Sequence, residues 1–193
     1  LAAKPKGTWL PVPIPVSNPT IGTGLQAAIL YLHPKSSPES TAPNATSGVM
    51  GLYTDTESWF AGGFHDGNWR EDRYRFRILG GASEFDLDFF GTGDSPVFGD
   101  NPLSYTLRSD VLIAQSLRRF PWSQDWYFGM RYMFIDSEVT FDVGNLFPGL
   151  PPLSTDMTTS SLGLMFTFDS RDNNYYPTSG SHFELVWTSD DDA

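Results

Sequence analysis

The sequence predicts an all-β chain, an antiparallel up-and-down transmembrane β-barrel built from nine alternating segments. Two-residue alternation runs through them, most clearly in RYRFRIL (73–79) and EFDLDFF (84–90). That period sends successive side chains to opposite faces of a strand. Several segments reach about 10–13 residues, the length of a tilted bilayer-crossing strand, where globular strands average about 5–6. Trp59, Trp69, Tyr105, Trp122, Trp126, Tyr127 and Trp187 stand near segment ends, where interfacial aromatic girdles would sit. Long connections at 34–48, 91–102 and 143–157 alternate with tight ones near 56, 120 and 175. Membrane barrels show such a pattern of long outer loops and short inner turns; the short 67–72 connection breaks it.

Composition narrows the function. The 193 residues carry a net charge of −11, which argues against a general nucleic-acid partner, since that needs a basic face. There are 15 Phe, 8 Tyr and 6 Trp beside 18 Gly and 15 Pro, a mixture of strand and turn formers. The absence of Cys excludes disulfides and Cys-based zinc sites. No apolar run reaches the ~18 residues of a transmembrane helix. The mean hydropathy of −0.27 suits alternating barrel strands as well as a soluble protein. LAAKPKGTW lacks the regions of a signal peptide and does not begin with Met. WTSDDDA stops directly after a strand pattern. The chain is therefore expected to be part of a longer one.

Taken in order, residues 1–20 read as a Pro-rich, strand-poor lead-in, because Pro5, Pro11, Pro13, Pro15 and Pro19 interrupt them. The barrel domain is expected over 21–193. Its first strand is IGTGLQAAILYLH (21–33), with Gly22 and Gly24 on one face; a short helix at 24–32 is the alternative. Weak strands at 49–55 and 58–66 flank the turn TDTES. Segments 73–79 and 84–90 follow as separate strands, then 105–117, 126–136, 160–170 and 182–188.

The charged residues of these strands form the first candidate site. Arg73, Arg75 and Arg77, with Arg108 and Arg131, are expected to line a lumen opposite Glu84, Asp86, Asp88 and Asp110. Two readings compete: a channel wall that biases permeation, and a salt-bridge lattice that fills the lumen. The lattice is preferred, because both signs occur in comparable numbers on adjacent strands. A calcium site on Glu84, Asp86 and Asp88 is disfavoured, since alternate strand residues lie about 7 Å apart. A glycosidase pair on the same carboxylates has no sugar cleft to support it. His33, His65 and His182 lack metal-ligand spacing. No P-loop, nucleophile elbow or dinucleotide fingerprint occurs. No cofactor, metal or enzymatic activity is expected.

The stretch DSRDNNYYPTSG, Asp169 to Gly180, resembles the turn of the BamA/TamA-type outer-membrane insertase superfamily, the bacterial surface antigen family. Members often carry a strand ending in Asp-x-Arg-Asp-Asn, then Pro-Thr-x-Gly and another strand. Asp169, Arg171, Asp172, Asn173, Pro177, Thr178 and Gly180 match that pattern. LPVPIPVSNPTIGTG (10–24) resembles the lead into the family's first barrel strand, and 108–134 a strand–turn–strand pair. The resemblance implies a sixteen-strand barrel in the bacterial outer membrane, of which this chain holds the N-terminal portion. It implies lipid and client outer-membrane proteins as partners, and a weak seam at the first strand, where Gly22 and Gly24 would lower pairing strength. The family's Val/Ile-Arg-Gly loop triplet is absent, and no POTRA domain precedes the barrel in this sequence. A barrel that anchors an upstream passenger, such as a patatin-like lipase, is the alternative function; a soluble β-sandwich binding module is the third.

Overall fold

The structure is a computed structural model and describes residues 6–35, 44–90, 102–144, 147, 149–172 and 177–192. These form one open sheet of nine antiparallel strands in chain order, with no helix among the described residues. The strands are β1 (Thr8–Asn18), β2 (Gly22–Leu32), β3 (Thr46–Thr54), β4 (Trp59–Trp69) and β5 (Tyr74–Phe89). β6 (Leu103–Arg119), β7 (Trp126–Asp142), β8 (Leu153–Asp169) and β9 (His182–Asp192) complete it. Asn173 lies outside the described residues, as do most of the loop residues 91–102.

Two expectations are corrected, and their errors cancel in the strand count. The Pro-rich lead-in is not strand-poor: residues 8–18 pair along their whole length with β2. Segments 73–79 and 84–90 are not separate strands: β5 runs unbroken through Gly80-Gly81-Ala82-Ser83, in continuous register with β6. The helix alternative at 24–32 fails, because those residues are β2.

Prolines are tolerated in β1 for a geometric reason. Backbone bonds from His33 N to Ala45 O and from Asp55 N to Thr23 O show that odd residues of β2 bond to β3. Even residues of β2 therefore bond to β1, and the register pairs them with Leu10, Val12, Ile14 and Val16. Pro11, Pro13 and Pro15 consequently turn their backbone positions to the free edge, where no ladder donor is lost. Gly22 and Gly24 lie on β2, one strand in from that edge. They are required by close approach: a Cβ on Gly24 would stand 2.1 Å from the Tyr53 carbonyl oxygen, and Gly22 has φ +80°.

Merging 73–79 with 84–90 also moves the loops. The connection 33–45 lies at the same end of the sheet as 70–73, 120–125 and 170–181, which we call the Asp169 end. The long connections after β5 and β7 lie at the other end, the Asp88 end. The three long loops expected on one side are thus split between two.

The sheet curls. Arg75 on β5 reaches Asp169 on β8 at 2.7 Å, across two intervening strands. In a flat sheet their backbones would stand about 14 Å apart at ~4.8 Å per strand. The face enclosed by this curl, called inner here, holds the best-buried side chains: Thr54, Tyr127, Ser161, Met165 and Thr167. Close strand approach there requires Gly129, whose Cβ would meet the Ser116 carbonyl oxygen at 1.8 Å. Gly129→Ala is expected to destabilise the fold by about 3 kcal/mol, read as a lowered urea midpoint. An unchanged midpoint would contradict this close approach.

Candidate functional site

Two arrangements stand out: a charge cluster on the inner face at the Asp169 end, and an apolar belt on the outer face.

The cluster joins three connections. The β4–β5 turn passes through three successive non-glycine residues with positive φ: Arg70 (53°), Glu71 (55°) and Asp72 (64°). Such backbone is disfavoured for L-residues, and Asp72 is tied down by specific bonds. Arg75 Nε and Nη2 donate to its two carboxylate oxygens at 2.8 and 2.6 Å. The Tyr127 hydroxyl donates to it at 2.7 Å. The Arg75 guanidinium also lies 4.1 Å from the centre of the Tyr127 ring and donates to Asp169 at 2.7 Å. Asp169 in turn accepts from Arg171 at 2.8 Å. Its side chain is only 2% exposed. As the last residue of β8, it lies beyond the apolar belt. Burial pushes its carboxyl up, but the Arg171 and Arg75 guanidiniums outweigh that and hold it at about 2.

The turn after β8 is built on Asp172. Its Oδ1 accepts from Thr178 N at 2.9 Å and Ser179 N at 3.2 Å, and its Oδ2 accepts from the Thr178 hydroxyl. Gly180 has φ +93°, and a Cβ there would lie 2.2 Å from the Ser170 carbonyl oxygen. Pro177 is exposed at the turn. The motif residues Asp169, Arg171, Asp172, Thr178 and Gly180 are therefore brought together. A polar cavity of about 360 Å³ opens beside the cluster, lined by Arg75, Arg77, Thr167, Arg171 and Glu184.

The expected lumen set is divided by the register. From Arg77 to Glu84 is an odd number of steps in a strand without a bulge. Arg75 and Arg77 therefore face inward, while Glu84, Asp86 and Asp88 face outward. Arg108 and Asp110 lie opposite Glu84 and Ala82, so they face outward too. Arg131 faces inward and pairs with Glu184 at 3.0 Å. Arg73 precedes β5, in the turn. Arg77 pairs with Asp66, directly opposite it, and Arg108 pairs with Glu84 at 2.8 Å. One lattice across a shared lumen is thus corrected to two groups on opposite faces. Tyr105 and Tyr127, expected in the aromatic girdle, also face inward, and Tyr127 is buried.

The outer face is organised in level rows. On β7 it reads Trp126, Phe128, Met130, Tyr132 and Phe134, then Asp136, Glu138, Thr140 and Asp142. On β8 it reads Phe168, Phe166, Leu164 and Leu162, then Ser160, Thr158, Asp156 and Ser154. On β5 it reads Tyr74, Phe76 and Ile78, then the small residues Gly80 and Ala82, then Glu84, Asp86 and Asp88. By register the change is staggered: the β5 change at Ala82/Glu84 lies across from Asp136/Glu138, the β7 change falls at Phe134/Asp136, and the β8 change at Leu162/Ser160 lies across from Tyr132/Phe134. Leu164, Phe166 and Trp187 are 46%, 45% and 68% exposed, whereas the inward-facing Met165 is 1% exposed. The inner face changes the opposite way, from Arg75 and Arg77 to Phe85, Leu87 and Phe89.

Rings collect at the Asp169 rim of this belt. Trp126 packs on Phe168, and Trp69 on Tyr74. A chain of rings runs Trp9, Tyr31, His33, His65 and Phe76, with Ser47 bonded to both histidines at 2.8 and 2.7 Å. From Tyr74 to Ala82 the strand rises ~27 Å at about 3.4 Å per residue. At the usual tilt of ~40° this spans roughly 20 Å, close to the ~25 Å apolar band of a membrane barrel.

Asp72 and Tyr127 were missed as site residues. The Asp72/Arg75 spacing was a usable signal, whereas nothing local marks Tyr127 as their partner. No protein-family model, curated protein or solved structure matches the chain.

Proposed function

We propose that this chain is a portion of a bacterial outer-membrane β-barrel of the BamA/TamA type, with its outer face against lipid. One observation carries the reading: the outer face of β5, β7 and β8 passes from apolar to polar and acidic within a narrow band of rows. In water such an exposed belt is unfavourable. In a bilayer it is the required surface, and acids beyond it stand in the aqueous layer. A soluble sandwich would need a second sheet over the belt, whereas the nine strands form one sheet. A part in outer-membrane protein assembly follows from the Asp169–Gly180 resemblance. Anchoring an upstream passenger is the second reading, favoured by the proline-lined edge of β1, because an anchor needs no edge that accepts client strands.

Flotation tests the membrane reading. Urea-unfolded chain diluted into phosphatidylcholine vesicles is expected to float with them after an alkaline carbonate wash. A folded, monomeric chain that stays in buffer and ignores vesicles would contradict it. The open sheet on its own is expected to give no stable single-channel conductance in planar bilayers, because a conducting pore needs its two end strands closed on each other. Steady unitary currents would mean that the edges close.

A further inference from the structure

The chain has three histidines, and their spacing in the sequence suits no metal. The sheet nevertheless brings two of them together. His33 directly follows β2, and the bond from its backbone N to Ala45 O keeps it in line with that strand. His65 lies on β4, and Ser47 on β3 stands directly opposite it. Tyr31 is opposite Ser47 on the other side, and His65 is opposite Ile78 on β5. His33, Ser47 and His65 therefore share the outer face, at the Asp169 rim.

Two ring nitrogens converge on one point. His33 Nε2 and His65 Nδ1 lie 2.8 and 2.7 Å from the same Ser47 Oγ. The two ring centres stand 5.4 Å apart. With zinc–nitrogen bonds of about 2.0–2.1 Å, two imidazoles on one tetrahedral ion hold their centres roughly 5 Å apart. The observed spacing thus suits a shared ion with little movement of either ring. Neighbours also hold the rings in place. His33 meets Tyr31 edge-on at 4.7 Å, and His65 lies against Phe76 at 5.3 Å.

We propose that His33 and His65 form a binding site for one divalent transition-metal ion, with Ser47 between them. Two imidazoles suit zinc, copper or nickel, whereas magnesium and calcium require oxygen ligands. Among the described residues, no three His, Cys, Asp or Glu side chains form a metal-binding group, so Ser47 Oγ and water would fill the other positions. The ion would take the place between the nitrogens that the hydroxyl now bridges, and rotation about the Ser47 χ1 makes room for it. β2, β3 and β4 are interior strands of the sheet. The site is therefore independent of what continues the sheet beyond β1 or β9, and of whether the outer face meets lipid.

Copper(II) is the probe, because it binds such sites most tightly of the first-row divalent ions and reports its nitrogen ligands by electron paramagnetic resonance. It is added to the refolded full chain in detergent micelles. One equivalent is expected to show two coordinated imidazoles, to raise the urea midpoint and to resist displacement by excess calcium. His33→Gln and His65→Gln should each weaken copper binding at least about tenfold, since even the partners of metal ligands are worth about 10–100-fold. His182→Gln should leave the site intact. No binding by the native chain, or a single-imidazole spectrum from it, would overturn the proposal, and neither result requires a variant to fold. Unchanged affinity in both pair variants, or an equal loss in His182→Gln, would overturn it as well.

Discussion

Leu164→Arg is expected to cost the lipid-bound fold about 2–4 kcal/mol, whereas Thr158→Arg on the same face of β8 should cost about 0–1. Both side chains point outward, six residues apart. Leu164 lies in the belt row of Phe76, Met130 and Trp187; Thr158 lies beside Asp136, in the acidic zone. The contrast separates lipid from water as the neighbour of this face. In lipid the guanidinium at position 164 loses hydration, while at 158 it stays in water and gains acidic neighbours. In water both positions are exposed, and arginine would be tolerated at each. Urea titration of the vesicle-bound variants measures the difference. Equal stabilities would remove the basis for a lipid-facing belt.

Arg75→Met is expected to destabilise by about 3–5 kcal/mol, because it removes a mostly buried cation shared by Asp72 and Asp169. Asp72 would lose two bonds and Asp169 one, while Arg171 would still hold Asp169. The strained β4–β5 turn would lose two of the bonds that tie Asp72. Adding Asp169→Asn to Arg75→Met should cost less than the two single effects combined, since the groups act as one network. The cluster also sets an acid limit. The folded carboxyl of Asp169 sits at about 2, below its ordinary 3.8. Its contribution is therefore complete above about pH 4 and is lost as pH falls through about 2. Unfolding midpoints of the native chain should fall across that window, and Asp169→Asn should flatten this part of the profile. A profile unchanged by Asp169→Asn would show that Asp169 contributes nothing there.

Much of this was legible in the sequence. Alternation located β2 to β4 and β6 to β9, because a half-exposed strand must alternate. The Asp169–Gly180 turn was legible as well, because its geometry uses local carboxylates and a positive-φ glycine. Two failures have clear physical causes. Gly80-Gly81-Ala82-Ser83 reads as a turn, but Gly80 and Gly81 pair with Gly63 and Gly62, and cross-strand packing overrides the local preference. That misreading reversed the side assigned to Glu84, Asp86 and Asp88. The prolines of β1 read as strand breakers, yet an edge strand loses nothing by them when they face outward. Tyr127 and Asp72 are 55 residues apart, and no periodicity connects them.

The most direct test of the central claim is a single-cysteine scan of β7, at positions 128, 130, 132, 134, 136, 138 and 140. Each variant would carry an environment-sensitive fluorophore and be reconstituted into vesicles, with a lipid-borne and a water-soluble quencher added in turn. Labels at 128–134 are expected to be quenched from the lipid, and those at 136–140 from water, with the switch between Phe134 and Asp136. Uniform quenching by the water-soluble reagent along the whole strand would contradict a lipid-facing outer surface.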